Sequence, residues 1–259
     1  PFALGQHVEF STNKGPLLQN FNLKKFLENK KKSFTQKLTP VYKAIEITRE
    51  KLDKKKSLIG FIGAPWTLLI YMLKIKKNID EIDYNKFEDY KLEIDLILNK
   101  LNEYLCIHIE NQVNAGVDVI QIFDSWAGLL KSNDLSNYCF KPNMRIVNFC
   151  KKKKIPVICF PKGINKNYKE FNTVVKPDGL NLDYNIDPYW AKKNLLGVTI
   201  QGGLDPKVLL STEKEIQKNT QKYLDIFKDT PYIFNLGHGL LPETDPVKVG
   251  NLVKFYREY

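Results

Sequence analysis

The chain has 259 residues, 43% hydrophobic and 27% charged, which is the make-up of an ordinary globular protein with enough length for one large core or two small ones. Forty basic residues against 29 acidic ones give a net charge of +11, but the only arginines are Arg49, Arg145 and Arg257. Nucleic-acid readers lean on arginine, so scattered lysines read as a solvated surface, and a nucleic-acid partner is excluded.

No apolar run is long enough to span a bilayer; the longest, Thr67 to Leu73, is far too short. The chain opens on Pro1-Phe2-Ala3-Leu4-Gly5, without Met or the apolar core of a signal peptide, and reads as the middle of a longer protein. Cys106, Cys139, Cys150 and Cys159 lie in apolar segments without metal-ligand spacing, as small hydrophobes in a reducing compartment do.

In chain order, residues 1–37 read as irregular, with turn chemistry at Asn13-Lys14-Gly15-Pro16. Val41, Ala44, Ile45 and Leu52 carry helical periodicity, predicting a helix over 41–52. Strands are expected at 57–62, 117–123, 155–160, 178–182, 198–201 and around Tyr232. Between them helices are expected from Trp66, over 84–115, 135–153, 168–171, 188–193 and 213–227, with a last one from Pro246. Lys151 to Lys154 closes a helix just before a strand, where cations complement the helix dipole.

Six short apolar strands, each followed by helix, mean a parallel sheet with crossover helices. No repeat, linker or composition shift marks a boundary, so residues 1–259 are expected to form a single domain. An open sheet is possible, and the spacing also suits a (β/α)8 barrel lacking two units.

Three strand ends carry the chemistry. Gly63-Ala64-Pro65 leaves the first strand and leads to Tyr71 one turn into a helix. Phe123-Asp124-Ser125-Trp126 leaves the second, and Gly237-His238-Gly239 follows the last. Barrel enzymes build their sites at carboxyl ends of strands, so Tyr71, Ser125 and His238 are candidates to converge. Each has a plainer reading: a tyrosine in a helix packs, and Ser125 caps the following helix. His238 is harder to dismiss, since a core histidine seldom needs glycine on both sides. A Ser–His–Asp hydrolase lacks the strained elbow around Ser125, and His7, His108 and His238 lack zinc-site spacing.

Together these motifs, with Val41-Tyr42-Lys43-Ala44-Ile45, Gly179-Leu180-Asn181-Leu182-Asp183 and Gln201-Gly202-Gly203-Leu204-Asp205-Pro206, resemble the uroporphyrinogen decarboxylase family. They occur in the family's order over almost the whole chain. The resemblance implies a (β/α)8 TIM barrel whose first two strands precede this chain, leaving six visible. It also implies a homodimer without cofactor or metal. The implied reaction removes CO2 from the four acetate side chains of uroporphyrinogen III to give coproporphyrinogen III in haem synthesis.

By motif, Tyr71, Ser125 and His238 correspond to substrate-binding residues, while Phe123, Gly63, Ala64 and Pro65 would line the cleft. The family's Arg-Gln-Ala-Gly-Arg-Tyr and Phe-Ser-Asp-Ile motifs do not occur here. The resemblance places them, with the catalytic aspartate, upstream of Pro1. The implied compartment is the cytoplasm, or an apicoplast-type plastid in view of the lysine and asparagine bias. Rival readings are a corrinoid or thiol methyltransferase of the same superfamily, whose zinc-binding His and Cys set is absent, and a non-catalytic tetrapyrrole-binding protein.

Overall fold

A computed structural model describes residues 1–11, 15–78 and 81–259. Its centre is a six-stranded sheet: β1 (Ile59–Gly63), β2 (Val119–Asp124), β3 (Val157–Pro161), β4 (Gly179–Leu182), β5 (Thr199–Gly202) and β6 (Tyr232–Ile233). Every pairing is parallel, and each strand lies beside its neighbours in sequence, from β1 at one edge to β6 at the other. A doubly wound sheet reverses its order at a switch point; this one never does. Unreversed order with crossover helices is that of a (β/α)8 barrel, of which six strands are described.

Alternation along the strands divides core from interior. Ile62, Ile120, Ile122, Val157, Cys159, Leu180 and Ile200 are buried in the core cluster beneath the helices. The other set faces the concave interior. Gln201 donates its side-chain amide to Gln121 (3.2 Å) and Asn181 (2.7 Å), a buried chain of amides across three strands. Nearer the carboxyl ends, the rings of Phe61, Phe123 and Phe160 follow one another edge to face at 5.9 and 6.2 Å. Phe61 lies on an edge strand and is 64% exposed, whereas an apolar strand residue is expected in a core.

The helices are α1 (Lys31–Lys51), α2 (Pro65–Leu73), α3 (Ile94–Asn114), α4 (Lys141–Lys152), α5 (Tyr168–Val175), α6 (Pro188–Asn194), α7 (Glu213–Phe227) and α8 (Pro246–Glu258). Their starts follow local chemistry. Proline opens α2, α6 and α8, and the carboxylates of Asp187 and Asp245 accept from first-turn amides of the last two.

The amino-terminal expectations need correction. Residues 1–37 are not irregular: Val8–Ser11 pairs antiparallel with Gly15–Leu18, and a short helix covers Leu23–Glu28. Residues 12–14, which hold part of the predicted Asn13–Pro16 turn, lie outside the described residues. Helix α1 begins ten residues before Val41 and runs through Pro40. Tertiary packing extends it: Phe34 meets Tyr104 of α3 edge to face at 4.8 Å, and Tyr42 bonds His108 at 3.1 Å. The helix expected over 84–115 is broken into Tyr84–Glu88 and α3, with Leu92 almost fully exposed at the break. A small antiparallel pair, Lys76–Asn78 with Glu81–Ile82, lies in a stretch without predicted structure.

No described helix is long and apolar enough to cross a membrane. The four cysteines are free thiols; Cys139, Cys150 and Cys159 are buried and Cys106 is partly so.

Candidate active site

The carboxyl ends of the strands are held to one another by main chain. After β1, the Ala64 amide donates to the Phe123 carbonyl at 2.9 Å. After β2, the Gly128 amide donates to the Lys162 carbonyl at 2.9 Å, and the Lys162 amide donates to Asp124 (3.2 Å) and Phe160 (3.0 Å). Gly128 and Gly163 touch, and a Cβ on Gly128 would lie 2.7 Å from the Gly163 carbonyl oxygen. After β6, the Gly237 amide donates to Leu204 at 2.7 Å. A Cβ on Gly237 would lie 2.4 Å from the Tyr184 nitrogen, so this glycine is required by close backbone approach. Gly239 meets nothing within 4 Å, so only one of the two glycines beside His238 has a steric reason.

Buried polar groups fix the side chains at this rim. Asp124 is fully buried. Its carboxylate accepts from the Thr67 hydroxyl (2.8 Å) and the Asn143 amide (3.0 Å). Thr67 in turn accepts from the Trp126 amide at 3.3 Å, and the Trp66 indole donates to the Trp126 carbonyl at 3.1 Å. Burial raises the Asp124 pKa to about 6, against the opposing pull of its hydrogen bonds. Asp183, also fully buried, accepts from the Gly163 amide (2.9 Å), the Tyr168 hydroxyl (3.1 Å) and the Asn185 amide (3.1 Å).

The three candidate residues stand on this frame. Tyr71 lies in the second turn of α2 and is 46% exposed with its ring against Trp126 at 6.0 Å. The Lys76 ammonium sits 3.4 Å from the centre of the Trp126 ring, a close cation–π contact. Ser125 is half-buried between Asp124 and Trp126 and caps no helix; the following one-turn helix, Ala127–Leu129, has Trp126 at its cap without a side-chain bond. His238 is exposed, and its Nδ1 accepts from the Gly239 amide at 2.8 Å. Partial burial, then the Lys162 charge, lower its pKa below the ordinary histidine value, which favours the neutral ring.

Tyr71 packs on Trp126, which follows Ser125 in sequence; the Lys162 amide bonds the Asp124 carbonyl, and the Lys162 charge contributes to lowering the His238 pKa. Of the expected lining residues, Phe123 and Gly63 are half-buried, and Ala64 and Pro65 are buried. Lys162 and Asp183 are not among the expected site residues. Asp183 closes the Gly179-Leu180-Asn181-Leu182-Asp183 motif of the resemblance but has no role assigned there, and a lone lysine after Phe-Pro carries no signal beyond following a predicted strand.

A concavity of about 770 Å³ opens at the opposite end of the strands, among Lys176, Leu196, Thr199 and Pro231. Two lysines on its wall, Lys151 and Lys192, donate to the carbonyls of Lys176 and Ile226. Barrel chemistry belongs to the carboxyl ends, and that is where the polar network converges. Among the described residues, no three His, Cys, Asp or Glu come together as a metal-binding group.

Comparison with known proteins agrees with this geometry. The profile of the family described as "Uroporphyrinogen decarboxylase (URO-D)" matches residues 1–259. The chain is 40% identical to the uroporphyrinogen decarboxylase of Rickettsia bellii, the match covering all of this chain and 77% of that protein. It is 39% identical to the Orientia tsutsugamushi (strain Ikeda) enzyme of the same name, with the same coverage. In fold it is similar to a methyltransferase from Methanosarcina mazei: TM-score 0.74, 18% identity, 99% of this chain and 76% of that one. A putative vitamin-B12 independent methionine synthase from Listeria monocytogenes gives a TM-score of 0.59 at 17% identity, over 85% of this chain and 69% of that one. At such identities the two structures speak for the barrel and for nothing finer. The match along all 259 residues settles the family: this chain belongs to the uroporphyrinogen decarboxylases.

Proposed function

We propose that this protein decarboxylates uroporphyrinogen, converting its four acetate side chains to methyls and delivering coproporphyrinogen in haem synthesis. The observation that carries the reading is 40% identity over the entire chain to a uroporphyrinogen decarboxylase.

The chemistry sets what the residues must do. Protonating a pyrrole carbon makes the ring an electron sink. The bond from the acetate methylene to its carboxylate then breaks toward the ring, CO2 leaves, and a proton added to the methylene with loss of the ring proton completes the methyl. One proton is consumed per carboxylate, and no redox step occurs. The protein's tasks are to hold a polyanion, stabilise charge developing on the pyrroles and exclude water.

In this reading, Tyr71, Ser125 and His238 grip substrate carboxylates by hydrogen bonds. His238 acts as a neutral imidazole, consistent with its lowered pKa. The Phe61, Phe123 and Phe160 rings supply an apolar wall for the pyrroles. Our reading assigns these residues binding and orientation, and none of them the proton transfer. It also takes the working assembly as a homodimer, to be checked by sedimentation of the purified protein.

The test is incubation of the full-length protein with uroporphyrinogen III under anaerobic conditions, with chromatography of the oxidised porphyrins. Hepta-, hexa- and pentacarboxylate intermediates followed by coproporphyrin are expected, with and without a chelator. Recovery of uroporphyrin alone would overturn the reading.

A further inference from the structure

Lys162 immediately follows β3 on the rim that carries His238, and its main chain is pinned from both sides. Its amide bonds Asp124 and Phe160, its carbonyl takes the Gly128 amide, and the next amide, that of Gly163, is held by Asp183. The side chain is half-buried, and among the described residues its ammonium forms no ion pair and no hydrogen bond. Other lysines of the chain do find partners: Lys153 pairs with Glu110 at 2.7 Å, and Lys100 donates to the Leu27 carbonyl at 2.7 Å.

Two carboxylates lie on loops that touch that of Lys162, and neither serves it. Asp124 is turned into the core toward Thr67 and Asn143. Asp183 is spent on Gly163, Tyr168 and Asn185. With its backbone fixed and both of these acids engaged elsewhere, the Lys162 ammonium is left available to a ligand that brings an anion. The Asp183–Tyr184 backbone joins the two loops: Asp183 takes the Gly163 amide, and a Cβ on Gly237 would lie 2.9 Å from the Asp183 carbonyl carbon, so the Lys162 loop and the His238 turn meet across it.

We infer that Lys162 binds a carboxylate side chain of the substrate beside His238. This rests on the reading of the rim as the uroporphyrinogen site. Lys162 donates to a carboxylate oxygen, and no covalent step is involved.

Lys162→Gln and Lys162→Arg in the full-length protein test it, with uroporphyrinogen III and the pentacarboxylate intermediate as substrates. For Lys162→Gln, KM for uroporphyrinogen is expected to rise about tenfold while kcat stays within about twofold. Lys162→Arg, which keeps the charge, is expected to restore KM to within about threefold of wild type. A residue that only supported the fold would lower both parameters, and retention of charge would not rescue them. An unchanged KM in Lys162→Gln, with wild type active, overturns the inference and leaves the functional reading standing.

If wild type is inactive on uroporphyrinogen, the functional reading fails, and titration with uroporphyrin, followed by tryptophan fluorescence, decides on Lys162. A dissociation constant about tenfold weaker in Lys162→Gln supports the carboxylate site. Equal constants overturn it.

Discussion

The amide of Gly163 donates to the carboxylate of Asp183 at 2.9 Å, tying the loop after β3 to the end of β4. Asp183 is fully buried and, among the described residues, pairs with no cation; it is satisfied by two main-chain amides and the Tyr168 hydroxyl. Asp183→Ala strands these donors without an acceptor, and stability is expected to drop by about 2–4 kcal/mol. Asp183→Asn keeps one acceptor oxygen and is expected to lose roughly half as much. Urea unfolding of the two variants checks the order; equal losses would contradict it.

The glycines beside His238 are expected to behave differently. Gly237→Ala drives a methyl into the Tyr184 backbone and is expected to cost at least about 2 kcal/mol. Gly239→Ala enters open space and is expected to change stability by less than about 0.5 kcal/mol. Thermal unfolding of both, side by side, is the measurement.

Tyr71 and His238 are both exposed, so removing their polar groups leaves the core alone. Tyr71→Phe and His238→Ala are each expected to lower kcat/KM on uroporphyrinogen by about tenfold, with a melting temperature unchanged to about 2 °C. Native kinetics in either variant would remove that residue from the proposed site.

Two buried groups set opposing pH dependences. Burial holds the Asp124 carboxyl at about 6, so between about 4 and 6 the folded protein keeps a proton that the unfolded chain has lost. That term weakens the fold as pH rises. Burial also lowers His108 to about 4, so below the ordinary histidine range the unfolded chain takes up a proton that the folded protein refuses. That term weakens the fold as pH falls, and the two largely cancel between pH 4 and 6. In His108→Gln, which can keep the bond to Tyr42, only the Asp124 term remains. Relative to wild type the variant is expected to gain on the order of 2 kcal/mol between pH 7 and pH 4.5. Urea unfolding at both pH values reads the difference, and a gap that does not change with pH would rule out the His108 term.

The barrel was legible where sequence chemistry is local. Short apolar runs gave the strands to within a residue or two, and the helix expected over 213–227 is α7 in full, with the Thr212 hydroxyl capping it in the structure. Helix α1 was misread because Lys30 to Lys32 and Pro40 look like loop. Yet Phe34, Leu38, Tyr42 and Ile45 recur at helical spacing, and packing on α3 overrides the proline. The break before α3 was hidden because Leu92 has the hydropathy of a core residue but points to solvent. At the rim, Tyr71, Ser125 and His238 stood out as polar residues after strands. Lys162 did not, and the bond that Asp183 makes to the Lys162 loop was not legible either, since it joins positions 20 residues apart in sequence, which no periodicity encodes.

The touching backbones of Gly128 and Gly163 have a consequence for how this protein can vary. Where two loops meet through main chain alone, amino-acid identity at neighbouring positions matters less than loop length. A single inserted residue in the β2 or β3 loop would carry Lys162 and the Trp126 segment out of step together, whereas substitutions nearby leave the weave intact. Drift in this lineage is therefore expected to be rich in replacements and poor in insertions along the rim, with length changes falling in exposed segments such as the one around Leu92.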